Sequence, residues 1–268
     1  MTPRLEAMHR YPVKGLSPEM LDAAELEVGA WFPADRLYAV ENGPSGFDPV
    51  APRHRPKTAF FMLMRHEALA RLVTRYETAT ATLAIMEDGR EAARGALGTP
   101  EGRAEIEGFL GGYMARTMGG VRHGAPRLLP APRGHRFTDS PSGFVSIINR
   151  ASVQAVEDLV GAPVDPLRFR ANLALDGLPA WGELDLVGRT LAFPSGAQLT
   201  VTARTRRCAA TNVDPATGLR DLEIPSTLMR ALGHMDCGVY ARIDHGGRIA
   251  SGDRVRVMDE ARAALPFA

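Results

Sequence analysis

Glycine and proline interrupt this sequence so often that few long helices or strands can form. The chain has 27 glycines and 20 prolines among 268 residues, about one residue in six. Both residue types are unfavourable inside helices and central strands, and both are common in turns. Apolar residues make up 45% of the chain, which is enough for a sizeable core. The composition therefore predicts a β-rich mixed α/β fold of many short strands rather than a helical bundle.

The spacing of apolar residues predicts the order of these elements. Strands are predicted at residues 4–13, 20–28, 36–41, 57–63 and 79–86, with helices at 65–76 and 100–114. Further strands are predicted at residues 144–149, 169–175, 189–193, 198–206, 238–244 and 254–258, with helices at 151–160 and 226–232. Ser152 is a candidate N-cap, and residues 245–247 are expected to turn a hairpin. The spacing suits a barrel-like sheet with helices on its rim.

The segment from 119 to 134 is rich in glycine and proline and is the best candidate for a domain boundary. We therefore expect one domain over residues 1–120 and another over residues 121–268.

Charge and cysteine content exclude several classes of function. A net charge of +1, from 32 basic and 31 acidic residues, excludes a globally basic nucleic-acid binder. Two cysteines cannot form a disulfide framework, a four-cysteine zinc site or the ligands of an iron–sulfur cluster. Phosphate-binding and dinucleotide-binding glycine motifs and the nucleophile elbow are also missing. With no run of 18 apolar residues and no signal peptide, we expect a cytoplasmic protein without a membrane span.

Lysine is rare here, because the basic residues include only Lys14 and Lys57. Lys14 lies in a segment, residues 11–18, whose prolines and glycine predict a loop. A lysine retained against an arginine background indicates a site that needs a compact ammonium group.

Cys208 follows Arg204, Arg206 and Arg207 and precedes a polar loop that ends in an Asp-Pro-x-x-Gly turn at residues 214–218. Nearby arginines favour the thiolate, which is the form of cysteine that binds metals or acts as a nucleophile. The alternative is a small buried residue at a strand end. Cys237 is expected to be such a packing residue.

Arg168, Arg170 and Asn172 alternate and are therefore predicted to share one face of a strand. Guanidinium groups bind phosphate or carboxylate, and Arg36 could add another cation. The alternative for each is an exposed surface or a surface ion pair.

Taken together, four features resemble the MOSC family, named after the C-terminal domain of molybdenum cofactor sulfurase. They are Tyr-Pro-Val-Lys at residues 11–14, Asp-Arg at 35–36, Arg-Phe-Arg-Ala-Asn at 168–172, and Arg-Cys at 207–208 with the loop that follows. The resemblance extends to the family's N-terminal β-barrel-like partner domain and to mitochondrial amidoxime-reducing components and their bacterial relatives. It implies a MOSC-type β-barrel with peripheral helices and a smaller N-terminal β-barrel-like domain. The family's reductase branch often has serine where this chain has Gly15.

The resemblance implies a molybdenum–pterin cofactor whose metal is bound by Cys208. The residues that it implies for cofactor binding are Lys14, Arg36, Asp139, Ser140, Arg170, Asn172, Arg207, Thr211 and Asn212. It also implies a reductase of N-hydroxylated or N-oxide compounds that receives electrons from a separate reductase, since no flavin, haem or iron–sulfur motif is found. One alternative is a carrier that holds a persulfide on Cys208 or delivers the cofactor, as the sulfurase connection indicates; we expect no pyridoxal-phosphate-dependent half in this chain. The other alternative is a MOSC fold that has lost its cofactor.

Overall fold

Short strands make up most of the regular structure. The computed structural model describes residues 2–118, 123–141 and 144–259. Its strands are β1 (Arg4–Arg10), β2 (Glu19–Leu21), β3 (Ala23–Leu26), β4 (Tyr38–Val40), β5 (Val73–Glu77), β6 (Thr82–Glu87), β7 (Arg90–Ala96), β8 (Leu128–Pro130), β9 (Val145–Asn149), β10 (Leu173–Asp176), β11 (Thr190–Ala192), β12 (Gln198–Arg206), β13 (Asp236–His245), β14 (Gly247–Ala250) and β15 (Arg256–Met258). Its α-helices are α1 (Pro100–Met118), α2 (Arg150–Val160) and α3 (Ile224–Leu232).

Eight strands form the largest sheet, in the order β15-β11-β12-β13-β9-β10-β1-β2. All its neighbouring strands are antiparallel except β9 and β10, which are parallel. No pairing within the described ranges joins the outer strands β15 and β2, so this sheet does not close into a barrel. The predicted β-rich mixed α/β fold is confirmed. The predicted β-barrel is not found, because no sheet closes on itself among the described residues.

The parallel pair follows from a short crossover, in which α2 connects β9 to β10. Asn149 caps this helix, because its side chain accepts a hydrogen bond from the N–H of Ala151 at 3.2 Å. The prediction that Ser152 is the cap was wrong. Its hydroxyl is buried and donates instead to Glu183 at 2.6 Å.

Two large hydrophobic cores lie under the sheets. The first is built from the eight-stranded sheet and includes Leu5, Val145, Leu199 and Val239. The second lies between α1 and the three-stranded sheet β5-β6-β7. Strands β1 and β2 of the N-terminal segment belong to the same sheet as strands after residue 144. The division at residue 120 stays a prediction, and residues 119–122 lie outside the described ranges.

Three predicted elements were wrong. Residues 65–76 form a 3₁₀ turn at Glu67–Arg71 and then β5, rather than one helix. Burial alternates strictly along β5, which is the pattern of a strand with one covered face. Residues 57–63 begin as a 3₁₀ turn at Lys57–Ala59 instead of a strand. The expected hairpin is absent, because β14 pairs with β3 rather than β13.

No helix within the described ranges is long and apolar enough to cross a bilayer.

Candidate functional site

A cavity of about 370 Å³ opens beside the end of β12. Nine of the residues implied by the resemblance line it: Lys14, Arg36, Asp139, Ser140, Arg170, Asn172, Arg207, Cys208 and Thr211. The tenth, Asn212, does not. Its side chain accepts a hydrogen bond from the N–H of Ile224 at 3.0 Å and so holds the start of α3.

The cavity is strongly cationic. Among the described residues, eight basic side chains and one carboxylate, that of Asp139, line it; three of the eight, Arg36, Arg168 and Arg204, are paired with carboxylates outside the lining. Such an excess of like charge in one cavity costs free energy through repulsion and incomplete hydration. A multiply charged anion would relieve that cost.

Cys208 lies where β12 ends and a 3₁₀ turn, Ala209–Asn212, begins. The backbone N–H and the hydroxyl of Thr211 both donate to the carbonyl of Cys208 at 3.0 Å. These two bonds fix the turn that carries the thiol. The side chain is partly exposed and unpaired with the other cysteine, so the sulfur is accessible from the cavity.

Both lysines of the chain line this cavity and share one carboxylate. The ammonium of Lys14 is buried and donates to Asp139 and to the carbonyl of Phe137, the latter at 3.0 Å. Lys57 lies 3.6 Å from the other oxygen of Asp139. Burial lowers the pKa of Lys14. Burial alone would also lower the pKa of Lys57, but Asp139 and the Cys208 thiol outweigh it and raise that pKa.

Lys57 was missed at the sequence level, although the signal was present. The rarity argument that singled out Lys14 applies equally to the second lysine. The predicted strand over residues 57–63 gave no reason to place it near Cys208, and only the tertiary structure brings the two together.

Arg36 and Arg170 pack against the same aromatic ring. Their guanidinium carbons lie 4.5 and 4.2 Å from the centre of the Tyr11 ring. Both residues have left-handed backbone conformations, with φ of +47° and +52°, which are unfavourable for side chains of this size and often mark functional sites. Burial lowers the pKa of Arg170 to about 10. Its Nη2 atom is buried and has no hydrogen-bond partner in the described part of the chain.

The expectation that Arg168, Arg170 and Asn172 share a strand face was wrong. Residues Pro166–Phe169 form a 3₁₀ turn that ends at Arg170, so the alternation of a strand does not apply. Arg168 pairs with Asp214 and Asp221 instead of supplying a free cation. Asn172 is buried, accepting from Ser146 and donating to the carbonyl of His9 at 3.1 Å.

Arg207 is also committed mainly to the protein. Its Nε atom donates to the carbonyl of Cys237 at 2.5 Å, and its Nη1 atom donates to the carbonyl of Phe169 at 2.8 Å. Its buried Nη2 atom has no partner among the described residues. Arg207 therefore connects β13 to the 3₁₀ turn Pro166–Phe169 and leaves one donor unused.

Gly15 is required by the backbone at this position. Its φ is +85°, and a Cβ atom would lie 2.9 Å from the carbonyl oxygen of Phe61. A serine could not adopt this geometry without displacing the backbone. The absence of the family's serine hydroxyl is thus a consequence of the local packing.

Cys237 is fully buried in a hydrophobic cluster with Val153, Ile224 and Leu228, which confirms its interpretation as a packing residue. Burial raises the pKa of its thiol to about 12. Across the described ranges, no cluster of three or more His, Cys, Asp or Glu side chains could hold a metal by itself.

Comparisons with known proteins identify part of the chain. Residues 134–256 match the model of the MOSC domain. No curated protein matches the chain. Among solved structures, the chain is similar to the YuaD protein from Bacillus subtilis, with 15% identity, 97% of this chain and 98% of that chain covered, and a TM-score of 0.47. It is also similar to YiiM from Geobacillus stearothermophilus, with 19% identity, 52% and 70% coverage and a TM-score of 0.37. For YiiM from Escherichia coli the values are 17% identity, 46% and 58% coverage and a TM-score of 0.35.

The matched segment includes the helix α2 crossover and the cysteine loop, whereas Lys14, Arg36 and Lys57 precede it. The family resemblance noted in the sequence is confirmed. Residues 134–256 of this chain are thus similar to the MOSC domain family.

Proposed function

We propose that the chain binds a molybdenum–pterin cofactor in the cationic cavity and reduces N-hydroxylated or N-oxide compounds. The observation that carries this proposal is a partly exposed thiol, Cys208, in a cavity lined by eight basic side chains and one carboxylate. The MOSC family is associated with redox functions of the molybdenum cofactor, which supports the same choice.

The cavity's chemistry fits such a cofactor. The buried, unpartnered Nη2 atom of Arg170 requires an acceptor, and a phosphate or pterin oxygen provides one. Lys14 and Arg36 would hold the same anionic group together with Arg170. Cys208 would supply a soft thiolate ligand to the metal.

Other lining residues would position these groups. Thr211 fixes the carbonyl of Cys208, and Asn172 holds the backbone on which Arg170 is carried. Arg207 connects β13 to the 3₁₀ turn Pro166–Phe169, and Asp139 would set the positions of both lysines. Ser140 lies at the cavity wall. Asn212 acts outside the cavity by anchoring the cysteine loop to α3.

When bound, the cofactor supplies a redox-active metal that exchanges two electrons. In the net reaction, the N–O bond breaks, two electrons and two protons are consumed, and the oxygen leaves as water. The electrons come from a separate reductase protein, and the reaction takes place in the cytoplasm. The protein's part is to bind the cofactor, to orient the thiol and to surround the reacting group with cations.

The proposal is tested by metal analysis and turnover of the purified protein. We expect molybdenum to copurify and benzamidoxime to be reduced with dithionite-reduced viologen as the electron source. Cys208→Ala should lose activity and alter molybdenum content. Cys237→Ala is the matched control, because this thiol lies outside the cavity. No turnover by protein that contains molybdenum would refute the reductase function.

A second candidate is a sulfur carrier, which the accessible thiol of Cys208 also permits. In that case the thiol would hold a persulfide in the cationic cavity. Intact mass spectrometry would show an adduct of about 32 Da on Cys208 and no molybdenum.

The predicted division at residue 120 has a place in this proposal. Lys14, Arg36 and Lys57 would come from residues 1–120, and Cys208 with Arg170 from residues 121–268. The cofactor would then be held by groups from both domains.

A further inference from the structure

Two arginines of the cavity wall differ from the others in being exposed. Arg204 and Arg206 both lie on β12 just before the cysteine loop, and both line the cavity. Lys14 and Arg207 are buried, and Arg36 and Arg170 are mostly covered. The exposed pair therefore marks the open side of the cavity, next to Cys208.

Arg206 has no ion pair or side-chain hydrogen bond with any described residue. Asp236 faces it across the β12–β13 ladder, but no ion pair joins their side chains. Arg204 is partly committed, because its Nε atom donates to the carbonyl of Leu184 at 3.2 Å and its Nη2 atom lies 3.8 Å from Asp185. A free cation thus lies at the mouth of the cavity, and a partly paired one, Arg204, lies two residues away.

The cofactor proposal leaves these two arginines without a role. In that proposal the covered cations Lys14, Arg36 and Arg170 hold the anionic cofactor, and a substrate that reaches Cys208 would approach through the open side. Apolar side chains, Met62 and Leu63, line the same cavity and can contact an uncharged part of a substrate. The cavity therefore combines apolar side chains with an unpaired guanidinium.

We propose that the preferred substrates are N-hydroxylated compounds that also carry an anionic group, such as a carboxylate, which Arg206 binds with help from Arg204. This inference rests on the proposed reductase function and names its substrate class. A guanidinium fork binds a carboxylate through two parallel hydrogen bonds, so the contact would orient the substrate as well as attract it.

The test compares matched substrates on the molybdenum-loaded protein. Benzamidoxime is neutral, 4-carboxybenzamidoxime is anionic, and 4-(aminomethyl)benzamidoxime is cationic at pH 7.5. We expect kcat/KM to fall in the order anionic, neutral, cationic substrate. The fall should come mainly from an increase in KM, with little change in kcat. Salt should reduce the preference, because the arginines are exposed and their charge is screened.

Variants then assign the preference to the cavity mouth. In Arg206→Gln, the ratio of kcat/KM for the anionic substrate to that for the neutral substrate should fall about fivefold, as expected for one exposed charge contact. Arg248→Gln is the matched control, because Arg248 is an exposed arginine on β14 outside the cavity wall. It should leave the ratio unchanged.

A binding measurement separates this inference from the proposed function. Calorimetric titration of the oxidised protein with 4-carboxybenzamidine, without an electron donor, should show tighter binding than benzamidine, and Arg206→Gln should remove the difference. Equal binding of the two ligands, or a preference that survives Arg206→Gln, would overturn the inference whether or not the enzyme turns over. Failure to reduce any of the three substrates would count against the reductase function alone.

Discussion

Replacing Arg168 by methionine should destabilise the protein strongly and loosen the loop that carries Cys208. The Arg168 side chain is only 2% exposed and makes paired 2.8 Å hydrogen bonds to Asp221. It also donates to Asp214 at 3.1 Å and to the carbonyl of Asn212 at 3.2 Å. Asp214 and Asp221 are 24% and 43% exposed, so water can rehydrate both carboxylates after the change. We therefore expect a loss of about 3 kcal/mol, at the lower end for breaking a buried ion pair.

The free energy of unfolding is measured by urea denaturation at pH 7.5, and the melting temperature should fall by roughly 8 °C. Arg75→Met, at an exposed site on β5, is the control and should change stability by less than about 0.5 kcal/mol. A double-mutant cycle with Asp221→Asn should give a coupling of at least about 1 kcal/mol. Molybdenum content should fall as well, because the Asn212 carbonyl lies in the loop after Cys208. A loss below about 1 kcal/mol would refute this account of the ion-pair cluster.

In the cofactor-free folded protein, Cys208 should react with a thiol reagent at pH 8 and Cys237 should not, because burial raises the pKa of the Cys237 thiol to about 12. Two reactive thiols before unfolding would contradict this prediction. Gly15→Ala should cost about 3 kcal/mol of unfolding free energy, because it combines positive φ with a backbone clash, whereas Gly29→Ala, with positive φ but open space, should cost about 1 kcal/mol. Asp139→Asn should destabilise the protein at neutral pH and less so at pH 3. The two lysines hold the pKa of the Asp139 carboxyl below its usual value against the effect of burial, so its stabilisation is present above about pH 4 and is lost as the pH falls further. A difference in unfolding free energy that is the same at pH 7 and pH 3 would argue against this ion pair.

Sequence patterns predicted the structure correctly where the residues that determine it lie within one short segment. Helix α1 begins at Pro100, where the predicted helix 100–114 begins, and β12 covers the predicted residues 198–206. The turn after the cysteine forms as expected, with Asp214 accepting hydrogen bonds from the N–H groups of residues 216 and 217. In each case the residues that set the conformation lie within a few positions of one another.

Sequence patterns predicted the wrong structure where a residue far away in the sequence determines the conformation. Arg168 looked like a free cation in an alternating strand, but Asp221, 53 residues away, binds it. Residues 65–76 looked helical, but pairing with β6 makes their second half a strand. The pattern of residues 238–250 favoured a hairpin, but β14 pairs with β3 instead of β13.

The sequence alone predicted the β-rich class and the resemblance of residues 134–256 to the MOSC domain, and it singled out Cys208 as a candidate ligand. It did so because composition, turn chemistry and motif spacing are properties of contiguous residues. The packing of distant segments determines which cations share a cavity with Cys208, which cations are paired within the protein, and that a side chain at Gly15 would clash with the backbone of Phe61. Lys14 and Asp139 are 125 residues apart in the chain, and Lys57 reaches Cys208 from another loop. Such encounters depend on how whole sheets and loops pack, which no pattern of neighbouring residues encodes.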